Sequence, residues 1–247
     1  MNRITRLMTV AVMLTAGIRL FGQTDVQVNL GAAIPVGNFA AGDNQTFALL
    51  NEDIEAGAGF GFSAGLKINF HTKVKGLGGI ASLDGIYNGL NAEMRDVLQD
   101  LADYYDSQFS RDFTLKSPSY LNFPAMFGLS YTYDINQKVG IYGEAALGAN
   151  LRIITNLELS GKSESYRETL TYTYNSAFGF AYQLGAGVNL TDKISLGLNY
   201  YSLGTAKVSG KMTDKQTYNY NTNNTSEKFK LKRITPTLIM IRLGYKF

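Results

Sequence analysis

From Thr235 to Phe247, bulky apolar side chains fall at every second position: Ile239, Ile241, Leu243, Tyr245 and Phe247. Met240, Arg242, Gly244 and Lys246 stand between them. A period of two means a strand whose two faces meet different surroundings. A strand of this kind, ending on an aromatic, is expected to close an outer-membrane β-barrel, with one face toward lipid and the other toward the lumen. Ile241, Leu243, Tyr245 and Phe247 are the residues expected to carry that carboxy-terminal signal to the barrel-assembly machinery.

Earlier segments repeat the pattern. They are Val26 to Val36, Phe60 to Phe70, Leu77 to Tyr87, Phe123 to Tyr133, Val139 to Ile153, Phe178 to Leu190 and Ile194 to Tyr200, which with the last makes eight strands. Each approaches or exceeds the roughly nine to eleven tilted residues that a strand needs to cross a bilayer. The third is the least regular, and its alternation leaves the side taken by Asp84 open.

The connections alternate in length. His71 to Lys75, Asp134 to Lys138 and Thr191 to Lys193 are tight turns, whereas residues 37–57, 88–119, 155–175 and 204–233 are long and polar. Short periplasmic turns and long extracellular loops are the asymmetry of outer-membrane barrels, and an even strand count puts both termini in the periplasm.

Alternation alone does not say which face points inward, so a soluble lipocalin-like barrel is the competing architecture. Its polar face would meet water and carry many Lys and Glu. In the second segment that face is Gly59, Gly61, Ser63, Gly65, Lys67 and Asn69. Small, mostly uncharged residues suit the cramped interior of an eight-stranded barrel instead. Pro35, Pro124 and Pro236 fall near the expected extracellular strand ends, where a missing N–H is tolerated. Phe70, Tyr133, Tyr245 and Phe247 gather at the other end, as an interfacial girdle would.

The chain's beginning reads as an export leader. Arg3 and Arg6 precede an apolar run from Leu7 to Ile18, and small or polar residues follow around Gly22 and Gln23. Residues 1–23 are therefore expected to be a signal peptide and residues 24–247 a single barrel domain. The alternative is an uncleaved anchor. Removing the leader removes Arg3, Arg6 and Arg19, so the formal charge of +3 falls to about zero and the basic balance no longer argues for nucleic acid. Cysteine is absent, which excludes disulfides and thiolate metal ligands.

With this leader, these Gly-rich alternating strands and the ending Arg242-Leu243-Gly244-Tyr245-Lys246-Phe247, the chain resembles the porin-like outer-membrane barrel families. These include the eight-stranded OmpA-type domain and the family named for the PorT secretion component. The resemblance implies a Gram-negative outer-membrane location and, through the second family, service to secretion machinery.

Side chains suited to catalysis are sparse. The single histidine, His71, falls in a periplasmic turn, whereas the resembling lipid A-modifying barrels work at the extracellular leaflet. Gly57, Gly59 and Gly61 imitate a phosphate loop, but they alternate within a strand and no helix follows. No catalytic residue, cofactor or metal is expected.

The second long loop carries a helical pattern with Asn91 as N-cap. Met94, Val97, Leu98, Leu101 and Tyr105 share one face, while Glu93, Asp96, Asp100 and Asp103 form an acidic one. That face is expected to be solvated on the barrel rim, with docking or weak divalent-cation binding as the sharper alternative. Tyr166 to Tyr174 should extend the third loop as a hairpin turning near Ser160 to Ser163. The fourth loop is rich in Asn, Thr and Lys, is expected to have a mobile tip around Tyr220 to Thr225, and carries cations able to meet lipopolysaccharide phosphates.

Inside the barrel, Lys67, Glu144 and Arg242 are expected on lumen faces, with Glu144 paired to one or both cations. Arg152 should lie higher, toward the outer mouth. Such a cluster plugs a barrel. The expectation is a monomeric, non-enzymatic eight-stranded antiparallel barrel acting as an extracellular platform or secretion accessory. Its partners would be outer-membrane lipid, lipopolysaccharide and an envelope or extracellular protein. A narrow solute channel and a lipid A-modifying enzyme are the alternatives.

Overall fold

The computed structural model describes residues 24–41, 56–109, 112–136, 138–163, 166–218 and 221–247. The expected leader, residues 1–23, lies outside them.

Eight strands form a closed barrel: β1 (Thr24–Pro35), β2 (Ala58–His71), β3 (Leu77–Leu90), β5 (Tyr120–Asp134), β6 (Gly140–Ile154), β9 (Ala177–Asn189), β10 (Ile194–Ser202) and β13 (Thr237–Lys246). Every neighbouring pair is antiparallel, and β1 meets β13 at the seam, with Val28 opposite Tyr245 and Ile34 opposite Ile239. Closure removes the unpaired edge that lipid cannot hydrogen-bond, which is why an apolar-walled sheet of this kind is viable in a bilayer.

Burial is inverted relative to a water-soluble protein. Phe60, Phe127 and Phe178 are 70%, 65% and 74% exposed on the outer wall. The residues withdrawn from the surface include Gln27, Asn29, Asp84, Gln183, Asn199 and Arg242. Only a hydrocarbon surround makes that arrangement favourable. Asp84, whose side the sequence leaves open, points into the lumen.

Among the described residues an 18-residue helix, α1 (Ala92–Phe109), follows β3. Asn91 caps it: its side-chain oxygen accepts from the Met94 amide at 2.8 Å, and its amide nitrogen donates to the Ala40 carbonyl at 2.8 Å. Met94, Leu98 and Ala102 are buried beneath the helix.

The extracellular connections hold more strand than the sequence suggests. β4 (Asp112–Lys116), β7 (Leu157–Lys162), β8 (Tyr166–Tyr174), β11 (Ala206–Tyr218) and β12 (Asn221–Ile234) form a second sheet in the order β12-β11-β8-β7-β4. The β7/β8 pair is the expected hairpin, but Ser160 to Lys162, expected to turn, stay in strand and pair with Thr169 to Arg167, so the chain reverses only after Lys162. The fourth connection corrects the expectation, because β11 and β12 pair from Ala206/Ile234 to Tyr218/Asn221. Asn221 to Thr225, assigned to a mobile tip, are strand, and Tyr220 lies outside the described residues. Cross-strand pairing along the whole hairpin and a second neighbour in β8 hold a segment whose composition alone reads as loop.

The apolar core sits at the outer mouth. Phe39, Tyr120, Leu203 and Leu238 meet Met94 and Leu98 of α1 and Tyr172, Tyr174 and Val208 of the extracellular sheet in one buried cluster. Phe39 and Tyr120 touch edge to face at 5.2 Å, and the Tyr120 hydroxyl donates to the Ala56 carbonyl.

Candidate functional site

Two regions hold polar groups in unusual settings: the lumen, and the extracellular sheet above it.

Strand alternation brings the lumen charges together, because residues separated by two stay on one face and closure turns all such faces inward. Lys67 of β2 places Nζ 3.0 Å from Glu144 Oε2 of β6, and both side chains are almost wholly buried. The other Glu144 oxygen accepts from Gln183 Nε2 at 2.5 Å and from Asn199 Nδ2 at 2.8 Å. Lys67 also lies 5.1 Å from the centre of the Tyr142 ring. A carboxylate with donors on both oxygens is the arrangement under which a buried charge can be kept.

Arg242 of β13 does not contact Glu144. It pairs with Asp84 of β3, and its Nη1 donates to the Tyr201 hydroxyl at 2.7 Å. That hydroxyl in turn donates to the second Asp84 oxygen at 3.0 Å, closing a three-residue ring. Asp84 and Tyr201 are the lumen residues that sequence reasoning missed. A Cβ on Gly65, directly across from Asp84, would fall on the carboxylate, so only glycine leaves it room. Gly185 likewise gives way to Glu144 and Asn199.

Arg152, higher on β6, donates to the carbonyls of Ile234 at 2.8 Å and Ala206 at 3.3 Å. It thereby ties the barrel wall to the base of the β11/β12 hairpin. On the periplasmic side an open hollow of about 420 Å³ is lined by Asp25, His71, Lys73, Lys138, Asp192 and Lys246 among others. His71 there lies 3.0 Å from Asp25, both well exposed. Toward the Lys67–Glu144 pair the space narrows to about 30 Å³, room for one or two waters.

Outside the membrane, Glu93, Asp96, Asp100 and Asp103 are all exposed on α1. Gln99 Nε2 donates to Asp103 at 2.8 Å. Among the described residues no group of three His, Asp or Glu side chains converges as metal ligands would. Of the apolar helix face, Val97 is half-buried, whereas the side chains of Leu101 and Tyr105 lie outside the described set.

The five-stranded sheet has two unlike faces. One carries Leu115, Leu159, Leu170, Tyr172, Met212 and Phe229 toward the mouth core. Burial pushes the Tyr174 phenol up, with Tyr120 and Tyr172 adding to it. The other face is hydroxyl-bearing and cationic. Contacts across it include Ser160 to Thr169 and Thr217 to Thr222, each 3.1 Å between hydroxyls.

A family model described as "Outer membrane protein beta-barrel domain" matches residues 8–247. Among solved structures the chain is similar to Ail, the attachment invasion locus protein of Yersinia pestis, at 14% identity, covering 92% of this chain and 99% of that one with a TM-score of 0.39. It is similar to a major outer membrane protein from Thermus thermophilus at 10% identity, 92% and 100% coverage and a TM-score of 0.47. A third is OprG from Pseudomonas aeruginosa, at 12% identity, 92% and 97% coverage and a TM-score of 0.45. No curated protein matches the chain.

Proposed function

Because this chain belongs to the outer-membrane protein β-barrel domain family, and so to the outer membrane, we propose that it acts as a non-enzymatic platform. The barrel is a closed, monomeric anchor, and the working surface is the helix and five-stranded sheet outside. A partner in the envelope or outside the cell would bind there.

One observation carries this reading: the lumen is filled. The Lys67–Glu144–Gln183–Asn199 cluster and the Asp84–Arg242–Tyr201 ring lie across it, and the Phe39, Tyr120 and Leu203 core covers its outer mouth. Buried pairs of this kind, with each charge hydrogen-bonded, cost several kcal/mol to break, so an ion passing through would have to replace those partners. Meanwhile a substantial fraction of the chain builds ordered structure beyond the membrane, where binding surfaces on rigid scaffolds are found. His71 supports the non-enzymatic reading, because its neighbour Asp25 is solvent-exposed and the pair stands at the periplasmic end.

Single-channel recording in planar bilayers tests the proposal. The expected result is silence up to the voltage at which the bilayer fails. Steady conductance steps would favour a narrow solute channel. Altered lipid A masses in a deletion strain would favour a modifying enzyme.

A further inference from the structure

The β11/β12 hairpin carries its charge in an arrangement that works against its own pairing. Residues directly opposite on antiparallel strands share a face. Lys211 stands opposite Lys228, and Lys207 stands opposite Arg233. Like charges placed so are mutually repulsive. Lys230, opposite Ser209, and Lys215, opposite Asn224, lie on the same face. All six cations are exposed.

The neutralising carboxylates are elsewhere. Asp214 and Glu227 fall on the alternate positions, hence on the opposite face, where Asp214 accepts from Gln216 at 2.8 Å. Across the adjoining strand, Thr169, Thr171 and Thr173 continue the cationic face with hydroxyls. Among the described residues, the nearest carboxylate on that face is Glu158 of β7, two strands from β11 and directly opposite Lys116 of β4.

The charges are also strung out. Lys207 and Arg233 sit where the hairpin leaves the barrel, Lys211 is four positions farther along and Lys215 four more. Four strand residues span about 13 Å, so the strip runs roughly 26 Å along the hairpin from its base. A single lipid headgroup carries its phosphates close together and would engage only part of that length. A ligand matching the whole strip must repeat its negative charges along its length. Single-stranded nucleic acid meets that condition too, but its sequence-independent binding relies on stacking on aromatic rings. The hairpin's aromatics near the strip, Tyr218 and Phe229, occupy the opposite face. Five of the six cations are lysines, whose ammoniums, like the threonine hydroxyls, are point donors without planar selectivity, suited to sulfate groups on a flexible sugar chain.

Resting on the platform reading, we propose that the cationic face of the β11/β12 hairpin is a docking surface for a linear sulfated polysaccharide outside the cell. Occupancy relieves the Lys211/Lys228 and Lys207/Arg233 repulsion, and the bound charge releases counterions, so affinity depends steeply on salt.

The experiment uses the full chain folded in nanodiscs of zwitterionic lipid, with heparin as probe and calorimetry as readout. Binding at about 50 mM salt should weaken at least about tenfold by about 200 mM salt. The double variant Lys211→Gln/Lys228→Gln should lose about tenfold in affinity, and Lys215→Gln/Lys230→Gln should do the same if the first folds poorly on a heat-modifiability gel. Lys73→Gln/Lys75→Gln, the same charge change in a periplasmic turn, should leave affinity unaltered. Equal loss in that control, no heparin binding, or equal binding of single- or double-stranded DNA would each overturn the docking surface. So would retention on lipopolysaccharide vesicles that heparin does not compete away. Planar-bilayer recording on the same preparation separates the two claims. Missing heparin affinity in a silent barrel removes the docking surface alone, whereas conductance steps remove the platform reading.

Discussion

The barrel wall and the extracellular sheet are built from the same backbone ladder, yet they sort their side chains in opposite ways. In the wall Phe178 is 74% exposed and Asp84 is 1% exposed. In the sheet Tyr172 is 5% exposed, while Lys211 and Thr173 on the far face are open to solvent. Hydrogen bonding is indifferent to this choice, since both sheets use the same ladder and the open edges at β12 and β4 can turn to water. The surrounding medium decides it: hydrocarbon accepts the apolar rows of the wall and forces the charges into mutual contact, whereas water takes the sheet's charges and leaves its apolar face to cover the mouth.

That contrast breaks most visibly at the lumen ring. Arg242→Met strands the Asp84 carboxylate and is expected to cost about 3–5 kcal/mol in urea unfolding of the detergent-folded barrel. Adding Asp84→Asn should recover a large part of the loss. Glu144→Ala leaves Lys67, Gln183 and Asn199 without their shared acceptor, and the folded form on a heat-modifiability gel should melt at a visibly lower temperature.

A smaller effect compares one substitution in both settings. Leu147→Arg on the lipid face, halfway along β6, should cost about 2–4 kcal/mol. Thr171→Arg on the sheet's hydroxyl face should change stability by no more than about 0.5 kcal/mol. Similar costs for the two would contradict the claim that they face different media.

Asn91→Ala removes the helix cap and should lose about 1 kcal/mol locally. Amide exchange around Met94 to Leu98 would rise without change in the barrel strands. The smallest change is expected from Lys211→Gln, where release of the repulsion with Lys228 should leave stability equal or raised by about 0.5 kcal/mol, read from the same unfolding curves.

The wall was legible in sequence because its faces differ sharply: in β13, Ile241 and Leu243 alternate with Arg242 and Gly244. β3 was harder, since Ile80 and Ile86 point inward while Leu83 points outward. Apolar residues on both sides erase the contrast, and with it the clue that Asp84 faces Arg242. The extracellular sheet was harder still. Along Asn221 to Lys228 every residue is exposed, so the strand carries no hydrophobic rhythm at all. Within the hairpin, the signs of its inner face were Val208 between Lys207 and Ser209, Met212 between Lys211 and Thr213, and Phe229 between Lys228 and Lys230. Pairing across a distant register is invisible to a reading that moves along one chain, which is also why Tyr201 went unnoticed as the third member of the lumen ring.

The seam where Gln27 meets Lys246 has a bearing on how the molecule comes into being. Its two sides are among the earliest and the latest described segments to leave the ribosome. Before they join, both edges present rows of unsatisfied amides and the apolar wall has no hydrocarbon around it, a state prone to clumping. A ribbon with that joint open must therefore be kept from pairing with its own kind until closure satisfies both edges.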